Sequence, residues 1–199
     1  MKIGIIGAGG FGRELYWSLL SDERKNAVFF VDDKYFDGSN NIILPISKFN
    51  PNEYKIIIAV GNPNDRFDIV NRLPKETKYL THIHPSVIIL GDDVEIGEGS
   101  VICAGSIITT NVKIGKHSHL NLQTTIGHDC IIGDYFTTAP GVKISGNCNI
   151  DKRVYVGTNA SIREKINVCS DVTLGLNCGV VKDIILPGTY VGTPAVKIK

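Results

Sequence analysis

From Leu90 onward an aliphatic residue recurs at every sixth position: Leu90, Ile96, Ile102, Ile108, Ile114, Leu120, Ile126, Ile132, then Ile144, Ile150, Val156, Ile162, Val168, Leu174, Val180 and Leu186. Thr138 is the one polar member of this ladder. Two places earlier the residue is usually small or apolar, as at Ser100, Ser106, Val112, Ser118, Thr124, Cys130 and Cys148. Six is not a whole number of 3.6-residue turns, so no helix face collects these positions. A hairpin meander needs turn signals at longer intervals. The hexad instead predicts a parallel β-helix, each hexad giving a short strand and a corner. The aliphatic residue points inward and stacks on its equivalent one coil away, at ~4.8 Å. Gly91, Gly97, Gly115, Gly127, Gly133, Gly157 and Gly175 follow ladder residues directly. They are expected at corners that need φ > 0.

The chain before the ladder has a different pattern. Residues 2–6 read as a buried strand, 7–12 spell G-x-G-x-x-G, and 13–20 read as an amphipathic helix. A second strand over 28–31 runs into Asp32-Asp33-Lys34. A third over 56–60 runs into Gly61-Asn62, followed by a short helix near 64–72. A strand–glycine turn–helix–strand unit with an acidic pair about 20 residues past the glycines points to nucleotide binding. Gly7, Gly9, Gly10 and Gly12 would bring backbone N–H groups to a phosphate at the helix start, with Asp32, Asp33, Lys34, Gly61 and Asn62 around it. A bare tight turn would show the same glycines; the strand before them and the acidic pair after them favour the nucleotide. Only about 80 residues precede the ladder, half of a dinucleotide fold, which argues for a single nucleotide or nucleotide-sugar. Pro85 disfavours helix before it, so the division is set at 1–83, a nucleotide(-sugar)-binding α/β domain, and 84–199, the β-helix. His82 and His84 read as linker residues.

Composition narrows the partners. The 199 residues carry a net charge of +1, which argues against coating nucleic acid or docking to acidic lipid. No apolar run approaches the ~20 residues of a membrane span. The short run after Lys2 is too glycine-rich for a signal peptide, and a cytoplasmic protein is expected. The five Cys all follow residue 100. Cys130, Cys148 and Cys178 share the inward place two before the ladder, which reads as small core residues rather than disulfides or a metal site.

The repeat resembles the hexapeptide-repeat acyltransferases, which implies a left-handed β-helix with three hexads per coil. The stretch His128-Asp129-Cys130-Ile131-Ile132-Gly133 sharpens this. Together with the glycine loop, the acidic pair, the Gly61-Asn62 then Arg66 element, His84-Pro85-Ser86 and the late Gly192-Thr193-Pro194-Ala195, it resembles the PglD/NeuD-like sugar acetyltransferase family over the whole chain. The resemblance implies a homotrimer with active sites at subunit interfaces. Its co-substrate would be acetyl-CoA, with no metal. Its reaction would be N-acetylation of a nucleotide-linked amino sugar, a 4-amino-4,6-dideoxy sugar made for a surface glycan. The alternative is O-acetylation of a sugar such as sialic acid.

The attacking amine must lose a proton, and an imidazole suits that role near neutral pH. By family resemblance His128 is the base, Asp129 its orienting acid, and the Gly146 amide the donor to the oxyanion. Asn121 would lie near the sugar and Arg66 on the nucleotide-sugar side. Thr137, Gly146, Gly157, Thr158, Gly175, Gly192 and Pro194 would contact acetyl-CoA. Asn121, Ala139, Gly157 and Gly175 stand 18 apart and would leave a channel for a pantetheine arm. The chain departs from its relatives at Thr137, where many have a second histidine, and at Val196, where many have Lys. Two other classes compete: a zinc enzyme of the γ-carbonic-anhydrase type built on His117, His119 and His128, and a non-catalytic scaffold.

Overall fold

A computed structural model describes residues 1–199. Strands β1 (Lys2–Ile6), β2 (Ala27–Val31), β3 (Ile43–Pro45), β4 (Tyr54–Ile58) and β5 (Lys78–Tyr79) form a parallel sheet in the order β3-β2-β1-β4-β5. β1 is central and nearly all apolar because both sheet faces are covered. On one face Ile3, Ile5, Phe29 and Ile57 pack with Leu15 and Leu19. On the other, Phe30, Ile56 and Ile58 pack against Ile69, Val70 and Leu73. Helix α1 spans Gly10–Ser18, α2 Ser21–Lys25 and α3 Pro63–Arg72. α1 starts three residues before the amphipathic pattern because the glycine loop itself enters the helix, with Gly9 as N-cap. Gly12 is obligatory: a Cβ there would run into the Gly7 carbonyl oxygen.

The rest of the chain is a left-handed parallel β-helix of two-residue strands in three sheets. The first face holds strands such as Thr125–Ile126, the second Ile131–Ile132, and the third His119–Leu120 and Thr137–Thr138. Neighbouring coils pair at an offset of 18, Ile108 on Ile126, Ile114 on Ile132 and Leu120 on Thr138. The core is the inward column plus the residue two before it.

Two expectations are corrected. The hexad register is unbroken only from Ile96 to Val180. In the first coil Ile89, not Leu90, pairs with Ile108, and Leu90 is exposed. At the far end Val168 bridges to Ile184 and Leu186 is exposed. The ends must shed or add a residue to stop the stack. Second, the glycines after the ladder do not occupy left-handed corners. That conformation belongs to the residue three after the ladder, where eleven non-glycine residues have φ between 52° and 62°. The glycines answer a different constraint, the close approach of the next coil. A Cβ on Gly127 would stand 2.6 Å from the Gly146 nitrogen, and one on Gly133 2.6 Å from the Lys152 nitrogen.

The α/β unit docks on the third face. Val101 completes the core of Ile3, Ile5 and Leu15, and Phe11 packs on His119 with ring centroids 5.3 Å apart. His82 is no linker residue: it is buried, pairs with Val101, and its Nε2 lies 2.9 Å from Ser18 Oγ on α1.

Candidate active site

His128 and Asp129 sit on the edge between the first and second faces. Asp129 takes the left-handed corner conformation, φ 60°, which a short polar side chain tolerates. That turns its carboxylate back on its neighbour, and His128 Nδ1 lies 2.7 Å from Asp129 Oδ2. The Asn111 amide one coil away donates to the other oxygen, Oδ1, at 2.6 Å. Hydrogen bonds from His128 and Asn111 hold the Asp129 carboxyl below its ordinary range. The imidazole is 57 % exposed, so it is both oriented and reachable. Gly146 lies in the next coil beneath the ring: a Cβ there would stand 2.6 Å from His128 Nε2. The Gly146 N–H donates to no protein acceptor.

The nucleotide candidates gather at the carboxyl ends of β1, β2 and β4, where an open parallel sheet binds ligands. Gly7 has φ +105°, and Gly9 and Gly10 face open space at the start of α1. Asp32 caps the following turn by accepting from Lys34 N, and Asp33 accepts from Ser47 N at 3.1 Å, which ties down the loop. Asn62 caps α3, accepting from Asn64 N and Asp65 N. A polar cleft of about 430 Å³ separates Gly61–Asn64 from Arg153, Tyr155, Asp171 and Thr173 on the β-helix.

Arg66 and Thr137 require correction as ligand contacts. Arg66 is fully buried. Its Nε donates to His117 O (2.8 Å), Nη1 to Val60 O and Gly61 O, and Nη2 to Tyr135 O, Phe136 O and Thr137 Oγ1 (2.7 Å). Every donor is in use, so none remains for a nucleotide. Thr137 Oγ1 in turn donates to Gly61 O, buried under the α/β unit where no acetyl-CoA can reach. Both residues hold the two units together. Burial lowers Arg66 to about 9, so it remains a cation at neutral pH.

The three β-helix histidines do not converge. His117 is sandwiched by Tyr79 and Tyr135, with centroids 4.5 and 5.3 Å away. Desolvation, then the Arg66 charge, pushes it down to about 4. His119 is buried, neither ring nitrogen is hydrogen-bonded, and the same causes hold it well below the ordinary value. Both belong to the docking interface and His128 to the opposite edge. No group of three or more His, Cys, Asp or Glu lies close enough to hold a metal ion.

The column Asn121, Ala139, Gly157, Gly175 forms the edge between the third and first faces, with exposed Thr158 beside it. Its smallness is demanded by stacking: a Cβ on Gly157 would stand 2.7 Å from Gly175 C. Asn121 N donates to Thr138 Oγ1 (2.9 Å), and Thr124 and Thr138 share a hydroxyl bond of 2.7 Å inside the coil. The polar exception in the ladder thus fixes the Asn121 backbone. Gly192, with φ +85°, and Pro194 lie in the carboxy-terminal hairpin. Within one chain these residues and Gly146 are on different edges. Asn111 escaped the reading of the sequence, although stepping back one 18-residue coil from Asp129 leads to it.

Comparison with known proteins agrees with this architecture. Residues 2–73 match the family described as the PglD N-terminal domain. GDP-perosamine N-acetyltransferase of Escherichia coli O157:H7 is 34 % identical over 182 residues, covering 82 % of this chain and 78 % of that protein. UDP-3-O-acylglucosamine N-acyltransferase of Bordetella avium is 34 % identical over 105 residues, only 28 % of its own length. WeeI from Acinetobacter baumannii AYE superposes with a TM-score of 0.88 at 33 % identity, covering all of both chains. The acetyltransferase domain of PglB from Neisseria gonorrhoeae FA1090, solved also with acetyl coenzyme A, gives 0.85 at 28 % identity, covering 99 % of this chain and 98–99 % of that one. With a relative of this identity and coverage, and the same two-unit architecture throughout, the chain belongs to the PglD/NeuD-like family of sugar acetyltransferases.

Proposed function

We propose that this chain transfers acetyl from acetyl-CoA to the amine of a nucleotide-linked amino sugar, a 4-amino-4,6-dideoxy sugar, by direct attack with His128 as general base. The acceptor class is supported by the GDP-perosamine N-acetyltransferase relative, and the donor by the acetyl-CoA complex of the PglB domain. The role of His128 is carried by one observation: an exposed imidazole whose Nδ1 is engaged by Asp129 and whose Nε2 is left free over Gly146.

In this reading the sugar amine attacks the thioester carbonyl and forms the N–C bond. Its proton passes to His128 Nε2. Asp129, held deprotonated, stabilises the imidazolium. The unpaired Gly146 N–H donates to the oxygen that becomes negative. Collapse breaks the C–S bond, and the CoA sulfur leaves as the thiol with the proton returned by the His128 imidazolium. The nucleotide rests in the 1–83 unit against Gly7–Gly12, Asp32, Asp33, Lys34, Gly61 and Asn62, with Asn121 near the sugar. Gly157, Thr158, Gly175, Gly192 and Pro194 line the acetyl-CoA arm. The α/β unit covers the third face, whereas His128 lies on the edge opposite that face. A homotrimer resolves this separation by bringing one chain's nucleotide unit to its neighbour's His128.

The test is thiol release from acetyl-CoA with a panel of nucleotide-linked 4-amino sugars. One amine should turn over, and His128→Ala should lower kcat about a thousandfold while CoA still binds. Acetylation of hydroxyl sugars alone would overturn the acceptor, and a fully active His128→Ala would overturn the base.

A further inference from the structure

We infer that Asn111 is a positioning residue for the transfer, acting through Asp129 on the orientation of His128; the inference rests on the reading of His128 as base. Asn111 stands one coil from Asp129 at the same left-handed corner, φ 52° against 60°. Its Nδ2 donates to Asp129 Oδ1 at 2.6 Å, and Asp129 Oδ2 faces His128 Nδ1 at 2.7 Å. Each carboxylate oxygen thus has one partner, and rotation of the carboxylate breaks one bond or the other. With the carboxylate pinned, Nδ1 carries the proton and the Nε2 lone pair points out of the edge over Gly146.

Asn111 is itself held from the coil before. Thr110 Oγ1, on the residue before it, donates to Asp93 Oδ2 at 2.9 Å. Asp93, Thr110–Asn111 and Asp129–His128 therefore occupy this edge on three successive coils.

The corner conformation alone does not account for this side chain. Residues 99, 105 and 141 occupy equivalent corners as glycine, with φ 72–77°. Nor does stacking require an amide: Arg153 and Asp171, also one coil apart at corners, make a two-bond ion pair at 2.8 Å each. A cation at 111 would satisfy Asp129 and weaken its pull on the imidazolium. An amide fixes the carboxylate and leaves its charge to His128. The other charged groups along this edge are Asp92, Asp93, Arg163, Glu164, Lys165, Lys182 and Asp183, and on the adjoining second face Lys113 is paired with Glu95 at 3.1 Å.

The experiment is a pH–rate profile of the full-length enzyme for wild type, Asn111→Gly, Asn111→Asp and His128→Ala. Asn111→Gly keeps a left-handed corner and removes only the amide. It should lower kcat on the order of tenfold, leave KM for acetyl-CoA within about twofold, and displace the acid limb. Asn111→Asp preserves shape but opposes two carboxylates. Its activity relative to wild type should rise several-fold as pH falls from 8 to 6, since only the protonated carboxyl can donate to Asp129. Wild-type kcat and an unmoved acid limb in Asn111→Gly, or no pH dependence of that ratio, would overturn the inference while an inactive His128→Ala left the base intact. A fully active His128→Ala would bring down the base and this inference together.

Discussion

The edge bearing His128 and the edge bearing His117 are built from the same hexad, with the same left-handed corner, φ 60° at Asp129 and 54° at His117. One is wet and the other dry. His128 is half exposed and paired with a carboxylate. His117 is sealed between Tyr79 and Tyr135 with the Arg66 cation at its carbonyl, and is held neutral. A period of six supplies positions, not environments. The α/β unit decides which histidine can exchange a proton with a substrate, because it covers one side of the β-helix and leaves the opposite edge open.

The contrast can be broken most severely at Arg66. Arg66→Met keeps the apolar stem but strips the donors from the carbonyls of Val60, Gly61, His117, Tyr135 and Phe136. A loss of about 3–5 kcal/mol is expected, read by urea denaturation. Wild-type stability would mean that the docking does not depend on this residue.

Acid attacks the same interface. A histidine with a lowered folded pKa takes up its proton in the unfolded chain first, so stability is complete above about 6.5 and falls as pH drops toward about 4. His117 alone accounts for about 3 kcal/mol over that window, and His119 acts in the same direction. His119→Phe fills the same space without a titrating ring and should lose less between pH 7 and 4.5. An identical loss in variant and wild type would remove His119 from the account.

At the wet edge, Gly146→Ala drives a methyl to 2.6 Å from His128 Nε2. The exposed ring should swing aside, lowering kcat on the order of tenfold with little change in stability. An unchanged kcat would show that the ring orientation over Gly146 is not used. The smallest effect is expected at Arg153→Ala. Its pair with Asp171 is only partly exposed, 18 % at Arg153 and 39 % at Asp171, and about 1 kcal/mol should be lost in urea denaturation. A larger loss would mean that corner pairs carry the β-helix, not its inward ladder.

Much of the fold was legible because the chain repeats. A side chain that must stack on its equivalent every coil announces itself by spacing, and the ladder from Ile96 to Val180 did so. The chain departs from the plain repeat where repetition stops or another unit intervenes. Leu90 and Leu186 lie outside the stack because the first and last coils change length. The glycines after the ladder looked like turn residues, yet the constraint on them comes from the coil above. His128 and Asp129 were legible as adjacent residues in a local motif. Asn111 was not, because its contact spans a coil.

The sequence by itself determined the period, the inward column, the βαβ start and the His128-Asp129 pair, since each is a local or repeating demand on side chains. Only the tertiary structure decided that Arg66 and Thr137 are struts rather than ligand contacts. They lie 71 residues apart and meet at 2.7 Å. Whether a guanidinium faces a phosphate or a ring of carbonyls depends on what the rest of the chain lays over it.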